Sequence, residues 1–454
     1  MIYRIRPTKD TSISNALLRA VPQTASNYGF AETLEVYKVA GVSGAQGPTS
    51  GSQLSRILVQ FSTGALDDFI TSNPIVSRFK TFRLMAQHET TTESVPQSFS
   101  LRVRPVSGSW DEGRGMDTVD HSDYGYANWW KRTSTEYWTS RGGDFYASPE
   151  LHQSFDLGDE NVDLDVTSIF ELWASGTANH GLSICMSQSI EAESLYQDYF
   201  RKSLYSRHSQ WPDRRPFVEV RWDDFVGDDR GRMSWGRSGS LFLHNIVDGR
   251  YAALSIGSQA LKVSIADSSG TLMQVTASAT QLLGIYSASF ALPSGTYSGS
   301  VFYDKWGSGS FAYTTGSFVF THGGPIVTNP AQAYAMNVPN VRDTYDPNEV
   351  VRFNVFMRNR QYRQSVVLTA SVSTRPDIIE RCYYAVENES TRQRVIPFGT
   401  GSQQHTRLSY DGSGNYFIFP MANLHSGEVY RLVFLIERNG QKQVIDGNAK
   451  FRVR

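Results

Sequence analysis

The chain has 454 residues, with 43 Lys+Arg against 44 Asp+Glu and a formal net charge of −1 at pH 7. That balance excludes an acidic solvating tail and gives no support to bulk electrostatic binding of nucleic acid, so no nucleic-acid partner is expected. Hydrophobic residues at 40% and aromatics at 13% are too much apolar mass for a disordered chain. At ~150 residues per domain the length gives about three domains. The 25 Phe, 23 Tyr and 9 Trp point to β structure, because aromatic side chains suit a pleated, half-buried surface.

The opening residues Met1-Ile2-Tyr3-Arg4-Ile5-Arg6-Pro7 have neither the apolar core nor the cleavage site of a signal peptide. No window approaches 18 consecutive apolar residues, so no membrane span is expected. The expectation is a chain kept in a cytosol or released by lysis. Helical periodicity is confined to 64–71 and 166–174. Short apolar or alternating runs bounded by turn residues predict strands over 56–61, 98–106, 216–222, 239–246, 260–266, 297–303, 350–357, 366–372 and 430–437. Many short strands between Gly/Ser/Asn/Asp turns argue for sandwiches or jelly rolls.

Two linkers stand out, the acidic 223–231 and the His322-Gly323-Gly324-Pro325 stretch. They divide the chain into 1–222, 233–321 and 325–454, the last two each about the size of an immunoglobulin-like sandwich, ~100 residues. The first segment is large for one sandwich, and its surplus lies in 39–53 and 111–150. Loops this long in a compact domain usually carry binding or assembly contacts. Cys185 and Cys382 are the two cysteines, each in an apolar strand-like run, and they read as buried free thiols. Their number excludes a disulfide framework and a cysteine zinc ribbon. Arginines outnumber lysines 34 to nine. Either a habit of protein–protein contact, which favours the guanidinium, or a GC-rich genome accounts for that skew.

Within 1–222 a series of short motifs follows a recognisable order. It opens with Asp10-Thr11-Ser12-Ile13, Asn27-Tyr28-Gly29, Leu34-Glu35-Val36 and Arg56-Ile57-Leu58-Val59-Gln60-Phe61. Leu101-Arg102-Val103, Ser109-Trp110-Asp111-Glu112-Gly113, Trp138 and Gly143-Asp144-Phe145 come next. Leu164-Asp165-Val166-Thr167, Trp173, Gly176, Asn179-His180-Gly181-Leu182, Ser206-Arg207 and Pro216-Phe217-Val218-Glu219-Val220 close it. This order resembles the DNRLRE-type jelly-roll domains, which are akin to carbohydrate-binding modules. The fold expected is therefore all-β: an N-terminal jelly-roll sandwich with long loops, followed by two immunoglobulin-like sandwiches. No cofactor is expected; the resemblance leaves room for a structural calcium ion, without choosing its ligands. Residue by residue, the motifs read as structure. Gly29 supplies a positive φ in its turn, a side-chain oxygen in Asp165-Val166-Thr167 caps the following helix, Trp110 and Trp173 plug the core, and Arg56 and Arg207 pair with buried carboxylates. The whole layout looks like a virion structural protein of a tailed phage, in the style of marine T4-like cyanophages.

Catalytic patterns are missing from the sequence. There is no Gly-rich loop ending in Gly-Lys, no second histidine to follow His88-Glu89, and no Gly-x-Ser-x-Gly elbow. Asp411-Gly412-Ser413-Gly414-Asn415 reads as a hairpin turn, since a calcium loop would need a carboxylate where Ala422 stands. Asp111, Glu112, Asp120 and Asp123 share one loop, and adjacent carboxylates in such a loop are usually solvated. No catalytic residue and no enzyme activity are expected.

The most unusual stretch is Tyr124-Gly125-Tyr126-Ala127-Asn128-Trp129-Trp130-Lys131-Arg132 with Tyr137-Trp138. Tyr124, Tyr126, Trp129, Trp130, Arg132, Tyr137 and Trp138 are the candidate contact residues, because Tyr, Trp and Arg dominate interface hot spots and flat rings also stack on sugars. The same rings could instead tuck under the loop and tie it to the sandwich. Trp211-Pro212-Asp213-Arg214-Arg215 is a shorter stretch of the same kind. The function expected is a non-enzymatic virion component in tail, neck, baseplate or capsid decoration, assembled in the host cytoplasm with other virion proteins and as a homo-oligomer. A carbohydrate-binding adhesin recognising host-surface polysaccharide stands as the alternative.

Overall fold

The computed structural model describes residues 1–18, 21–22, 25–39, 43–44, 47–48, 52–72, 80–91, 94–117, 121, 123–192, 199–248, 250–256, 259–295, 301–320, 334–359, 377–401, 404–438 and 440–454. The chain falls into two compact units. Arg4–Asp67 with Lys80–Val220 form one, and Met1–Tyr3, Asp68–Phe79 and Arg221–Arg454 form the other.

The N-terminal sandwich is built on a seven-stranded sheet. Its order is Leu151–Phe155, Phe99–Pro105, Leu182–Met186, Gln53–Phe61, Thr33–Val39 and Tyr199–Tyr205, with Pro7–Ser14 also laid along Gln53–Phe61. The central strand Leu182–Met186 is buried along its whole length, which its Leu-Ser-Ile-Cys-Met sequence permits. Thr33–Val39, nearer the edge, buries every second residue, the period of a strand with one face inward. The second sheet runs Ile2–Ile5, Phe217–Arg221, Thr81–Ala86 and Val162–Asp165. Leu84, Val162, Val218 and Val220 from this sheet and Leu34, Val36, Ile57 and Leu101 from the other are each at most 2% exposed.

The helix Thr167–Ala174 follows Val162–Asp165 and buries Ile169, Phe170 and Trp173. Asp165 Oδ1 accepts the Thr167 N–H at 2.9 Å, so the expected carboxylate does meet the first turn, although Val166 occupies the cap position. Phe170 stacks on Phe82 at 4.3 Å and meets Trp173 edge-on at 4.8 Å. Such pairs add about 0.5–1.5 kcal/mol each beyond area burial.

The second unit holds two smaller sandwiches. One pairs Gly239–His244, Ile285–Phe290 and Ser278–Ala279 in a first sheet. Its second sheet runs Gly270–Thr276, Lys262–Asp267, Val301–Ser308 and Phe311–Val319. Leu241, Val263, Ile265, Phe302, Trp306 and Phe318 belong to its core. The other combines Tyr334–Asn337, Val350–Asn359, Gly414–Pro420 and Ser409–Asp411 with a sheet of Thr344–Tyr345, Gln441–Val453, Val429–Arg438, Cys382–Asn388 and Arg394–Ile396. Tyr345, Phe353, Cys382, Tyr384, Phe417, Tyr430 and Phe451 pack inside it. Both cysteines are buried and free, as their apolar settings imply.

Among the predicted elements, the strand expected over 297–303 is described from Val301, within Val301–Ser308, and 297–300 lie outside the described residues. The strand expected over 366–372 and the linker at 322–325 lie outside the described residues. The acidic stretch 223–231 is not a free linker. Tyr410 N–H donates to Val226 O at 2.9 Å and Asp228 N–H to Tyr410 O at 3.0 Å, so this stretch pairs alongside Ser409–Asp411. Its charge is absorbed inward. Asp228 and Asp304 hold the Arg230 guanidinium, each at 2.5 Å, and Asp229 holds Arg232 at 2.6 Å. Burial pushes the Asp228 carboxyl up to about 6 against the pull of Arg230. The acidic composition that suggests a solvated linker instead supplies counter-ions for two arginines.

Candidate functional site

The long loop of the N-terminal sandwich is hung from one buried side chain. The Asn27 carboxamide donates to Glu112 O at 2.6 Å and to Ala127 O at 2.7 Å, and it accepts from Gly29 N at 2.9 Å and Gly115 N at 3.3 Å. Gly29 therefore serves differently from the expectation. It does not have a positive φ; a Cβ there would stand 2.3 Å from Glu112 O, so glycine is required by close approach. The Glu112 carboxylate accepts the Asp10 N–H at 2.8 Å, and Arg207 grips it with Nε and Nη2 at 2.6 and 2.7 Å. Both arginine pairings expected from the sequence occur, for Arg56 donates to both oxygens of Glu191 at 3.0 Å. Asp10 Oδ2 accepts the Arg207 N–H at 2.7 Å, and burial pushes the Asp10 carboxyl up to about 7. Burial also holds the neighbouring His208 imidazole below its usual pKa, with the Arg207 charge acting in the same direction. A carboxylate oxygen of each of Asp10 and Glu112 and a ring nitrogen of His208 lie within 4.8 Å of one another, and together they could hold a metal ion.

Above this base the aromatic residues separate into two groups. Trp129 and Trp138, at 7% and 5% exposure, join Trp110, Ile13, Leu58, Val106 and Ala127 in a satellite core. Trp110 Nε1 donates to His180 O at 2.8 Å and Trp138 Nε1 to Asn128 O at 2.9 Å, which satisfies both indoles. These two candidates are corrected: Trp129 and Trp138 are loop anchors, because rings buried in the satellite core present almost no surface to a partner. Arg132 is partly exposed; its guanidinium donates to Ser109 O at 2.9 Å and pairs with the exposed Glu136 at 3.0 Å. Tyr124 (61%), Tyr126 (37%), Trp130 (38%) and Tyr137 (62%) remain exposed.

The exposed rings sit on a tightly bonded frame. Asn128 Oδ1 accepts the N–H groups of Trp130 and Lys131 at 2.9 and 2.8 Å, and Trp138 N donates to Trp130 O at 3.0 Å. Lys131 and Tyr137 are bridged as in a hairpin. Arg56 donates to Gly142 O at 2.7 Å and stands 5.1 Å from the Trp129 ring centre, while Gly142 at φ +84° leaves room for both. The Arg141 guanidinium lies 3.9 Å from the Trp130 centroid and the Lys131 ammonium 5.2 Å from that of Tyr137. Arg141 escaped the sequence reading, which grouped residues by adjacency. Asn128 could have been found, since an Asn that bonds main-chain N–H groups two and three residues on is a known turn former. In the shorter stretch Trp211 is exposed, with the Arg214 guanidinium 5.6 Å from its ring centre.

Asp411 lies in a hairpin turn, where its Oδ1 accepts the Ser413 N–H at 2.8 Å. In the loop carboxylate group, Asp123 accepts the Arg114 N–H at 2.8 Å and Glu112 is held by Arg207, while Asp120 lies outside the described residues. A polar cleft of about 310 Å³ is lined by His88, Glu89, Thr90, Tyr199 and Arg201 among others. The His88 ring Nδ1 is 3.0 Å from the main-chain carbonyl of Ser203. Among the described residues no helix is long and apolar enough to cross a membrane.

No family model matches the chain, and no curated protein matches it. Among solved structures, a chimeric titin Z1Z2 carrying a decorin peptide is 13% identical, over 49% of this chain and 91% of that one, with a TM-score of 0.16. A Salmonella alpha-2-macroglobulin reacted with methylamine is 9% identical, over 99% of this chain and 34% of that one, at 0.19. The BSP domain of a biofilm-associated protein is 10% identical, over 95% of this chain and 67% of that one, at 0.17. The chain thus spans about a third of the macroglobulin. The all-β sandwich architecture rests on the sheets themselves.

Proposed function

We propose that the chain is a non-enzymatic structural component of a tailed-phage virion, acting through protein–protein contacts made by the aromatic rim of its N-terminal sandwich. The observation that carries the contact reading is the division of the loop aromatics. Trp110, Trp129 and Trp138 anchor the loop, so the exposed Tyr124, Tyr126, Trp130 and Tyr137 are not needed to hold it. Exposed rings on a rigid frame lose little conformational freedom when a partner covers them. The virion part of the proposal rests on the layout of three β domains and the style of the sequence.

The cation on the rim favours a protein partner over a glycan. Arg141 stacks on the Trp130 ring at 3.9 Å, and that occupies ring surface that a pyranose would need. A stacked Arg–Trp pair flanked by tyrosines has the chemistry of an interface hot spot. Many other arginines are turned inward to Glu219, Glu191, Glu112, Asp304 and Glu387, so the excess over lysine reflects internal pairing as well as surface.

Two measurements test the proposal. Mass spectrometry of purified phage particles should find the chain at a fixed ratio to known virion proteins. A glycan array probed with the recombinant chain should stay silent. Absence from particles, together with an array signal lost in Trp130→Ala, would replace the proposal with the adhesin reading.

A further inference from the structure

We propose that Asp10, Glu112 and His208 form a site for one divalent transition-metal ion of the zinc kind. The three side chains come from separate parts of the N-terminal sandwich: the strand Pro7–Ser14, the start of the long loop, and the turn after Tyr199–Tyr205. Each offers one ligand atom, and these atoms lie within 4.8 Å of one another. Glu112 Oε1 and His208 Nε2 are 3.7 Å apart. Ligands about 2.1 Å from a common zinc ion stand ~3–4 Å from each other, so a small side-chain closure completes the set.

An independent observation points to a ligand here. Asp10 is 1% exposed, and its Oδ1 is buried with no hydrogen-bond partner; His208 Nε2 is in the same condition. Buried polar atoms are nearly always hydrogen-bonded, so the Asp10 Oδ1 without a donor, beside a His208 Nε2 whose nearest acid is Glu112 Oε1 at 3.7 Å, requires an explanation. Asp10 Oδ2 is already taken by the Arg207 N–H, which leaves Oδ1 as the available oxygen. Glu112 retains capacity too. Three donors reach its carboxylate, two on Oε1 and one on Oε2, whereas a carboxylate offers about four lone-pair sites.

Charge and ligand type select the ion. The Asp10 and Glu112 carboxylates converge here with Arg207 bound to Glu112 and the Lys9 and Arg215 charges nearby, and the two acids are anionic ligands that a divalent ion can share. One imidazole nitrogen with two carboxylate oxygens suits zinc or manganese, whereas calcium takes oxygen ligands. The calcium ion that the sequence resemblance leaves room for is therefore not the ion this site favours. The ligands are also held from behind, as metal sites require. The Phe30 ring packs 4.7 Å from that of His208, and Arg207 fixes Glu112. Because Glu112 begins the loop that bears the aromatic rim, the ion would staple that loop to the sandwich.

The test is a titration of the untagged, chelator-treated full chain with Zn²⁺ in competition with a chromophoric indicator. The wild type should bind one equivalent tightly. Asp10→Asn and His208→Gln should each weaken that binding at least tenfold, while His152→Gln, at an exposed histidine, should leave it unchanged. His208→Gln is the decisive variant because it sits near the surface, and an unchanged far-ultraviolet circular dichroism spectrum certifies its fold. A wild type that binds no zinc at this level overturns the proposal, and so does a folded His208→Gln that binds as the wild type does.

Discussion

Replacing Asn27 by alanine should release the long loop from the N-terminal sandwich. The side chain is fully buried and makes four hydrogen bonds of 2.6, 2.7, 2.9 and 3.3 Å to main-chain groups of residues 29, 112, 115 and 127. Removing it strands two carbonyls and two N–H groups. Each stranded buried group costs ~1–3 kcal/mol, and water entering the gap recovers part of that, so a net loss of about 3–4 kcal/mol is expected. Urea unfolding followed by tryptophan fluorescence is the suitable assay, because Trp110, Trp129 and Trp138 all report on the loop. The loss should appear as a lower midpoint for the transition of this sandwich. Asn27→Asp, which keeps the acceptor and loses the two donated bonds, should fall between alanine and wild type. A shift below ~0.5 kcal/mol for Asn27→Ala, with native fluorescence, would refute the claim that this residue suspends the loop.

Gly142→Ala should destabilise the same sandwich by about 2–3 kcal/mol, since it combines a left-handed backbone with a direct clash. Its φ is +84° and a Cβ would stand 2.8 Å from both the Trp129 ring and Arg56; a melting temperature equal to the wild type's would contradict this. Asp228 should give the second unit a pH signature. Burial raises its folded pKa to about 6, above the ~3.9 of an unfolded aspartate, so the folded state holds the extra proton between these values. Its contribution to stability is therefore fully present below about pH 4 and is lost as the pH rises through about 6. Melting temperatures of wild type relative to Asp228→Asn should fall from pH 4.5 to pH 7, and a rise over that range would show that the ion pair with Arg230 dominates.

The sandwich strands were legible because their apolar runs carry the strand period and are bounded by turn residues, as in 56–61 and 350–357. The helix at Thr167–Ala174 was equally readable from its spacing of Phe170 and Trp173 and from Asp165 before it. The stretch 223–231 misled for a physical reason. Acidic and glycine-containing composition describes a solvated linker and a chain segment buried against arginines equally well, and only the position of Arg230 and Arg232 in space decides. The aromatic loop was half legible. Seven candidate residues were grouped by adjacency, yet neighbouring residues Trp129 and Trp130 point to different environments, as a turn held by Asn128 dictates. Asp10, Glu112 and His208 could not be joined from the sequence at all, because about a hundred residues separate each from the next.

The aromatic rim is proposed as the contact surface through which the chain assembles. Sedimentation velocity of the wild type and of Trp130→Ala/Tyr137→Ala, across the micromolar range, tests it. The wild type should sediment as a defined oligomer, and the double variant, melting at the wild-type temperature, as a single chain. A wild type that stays monomeric throughout, or a double variant that assembles as the wild type does, would contradict it.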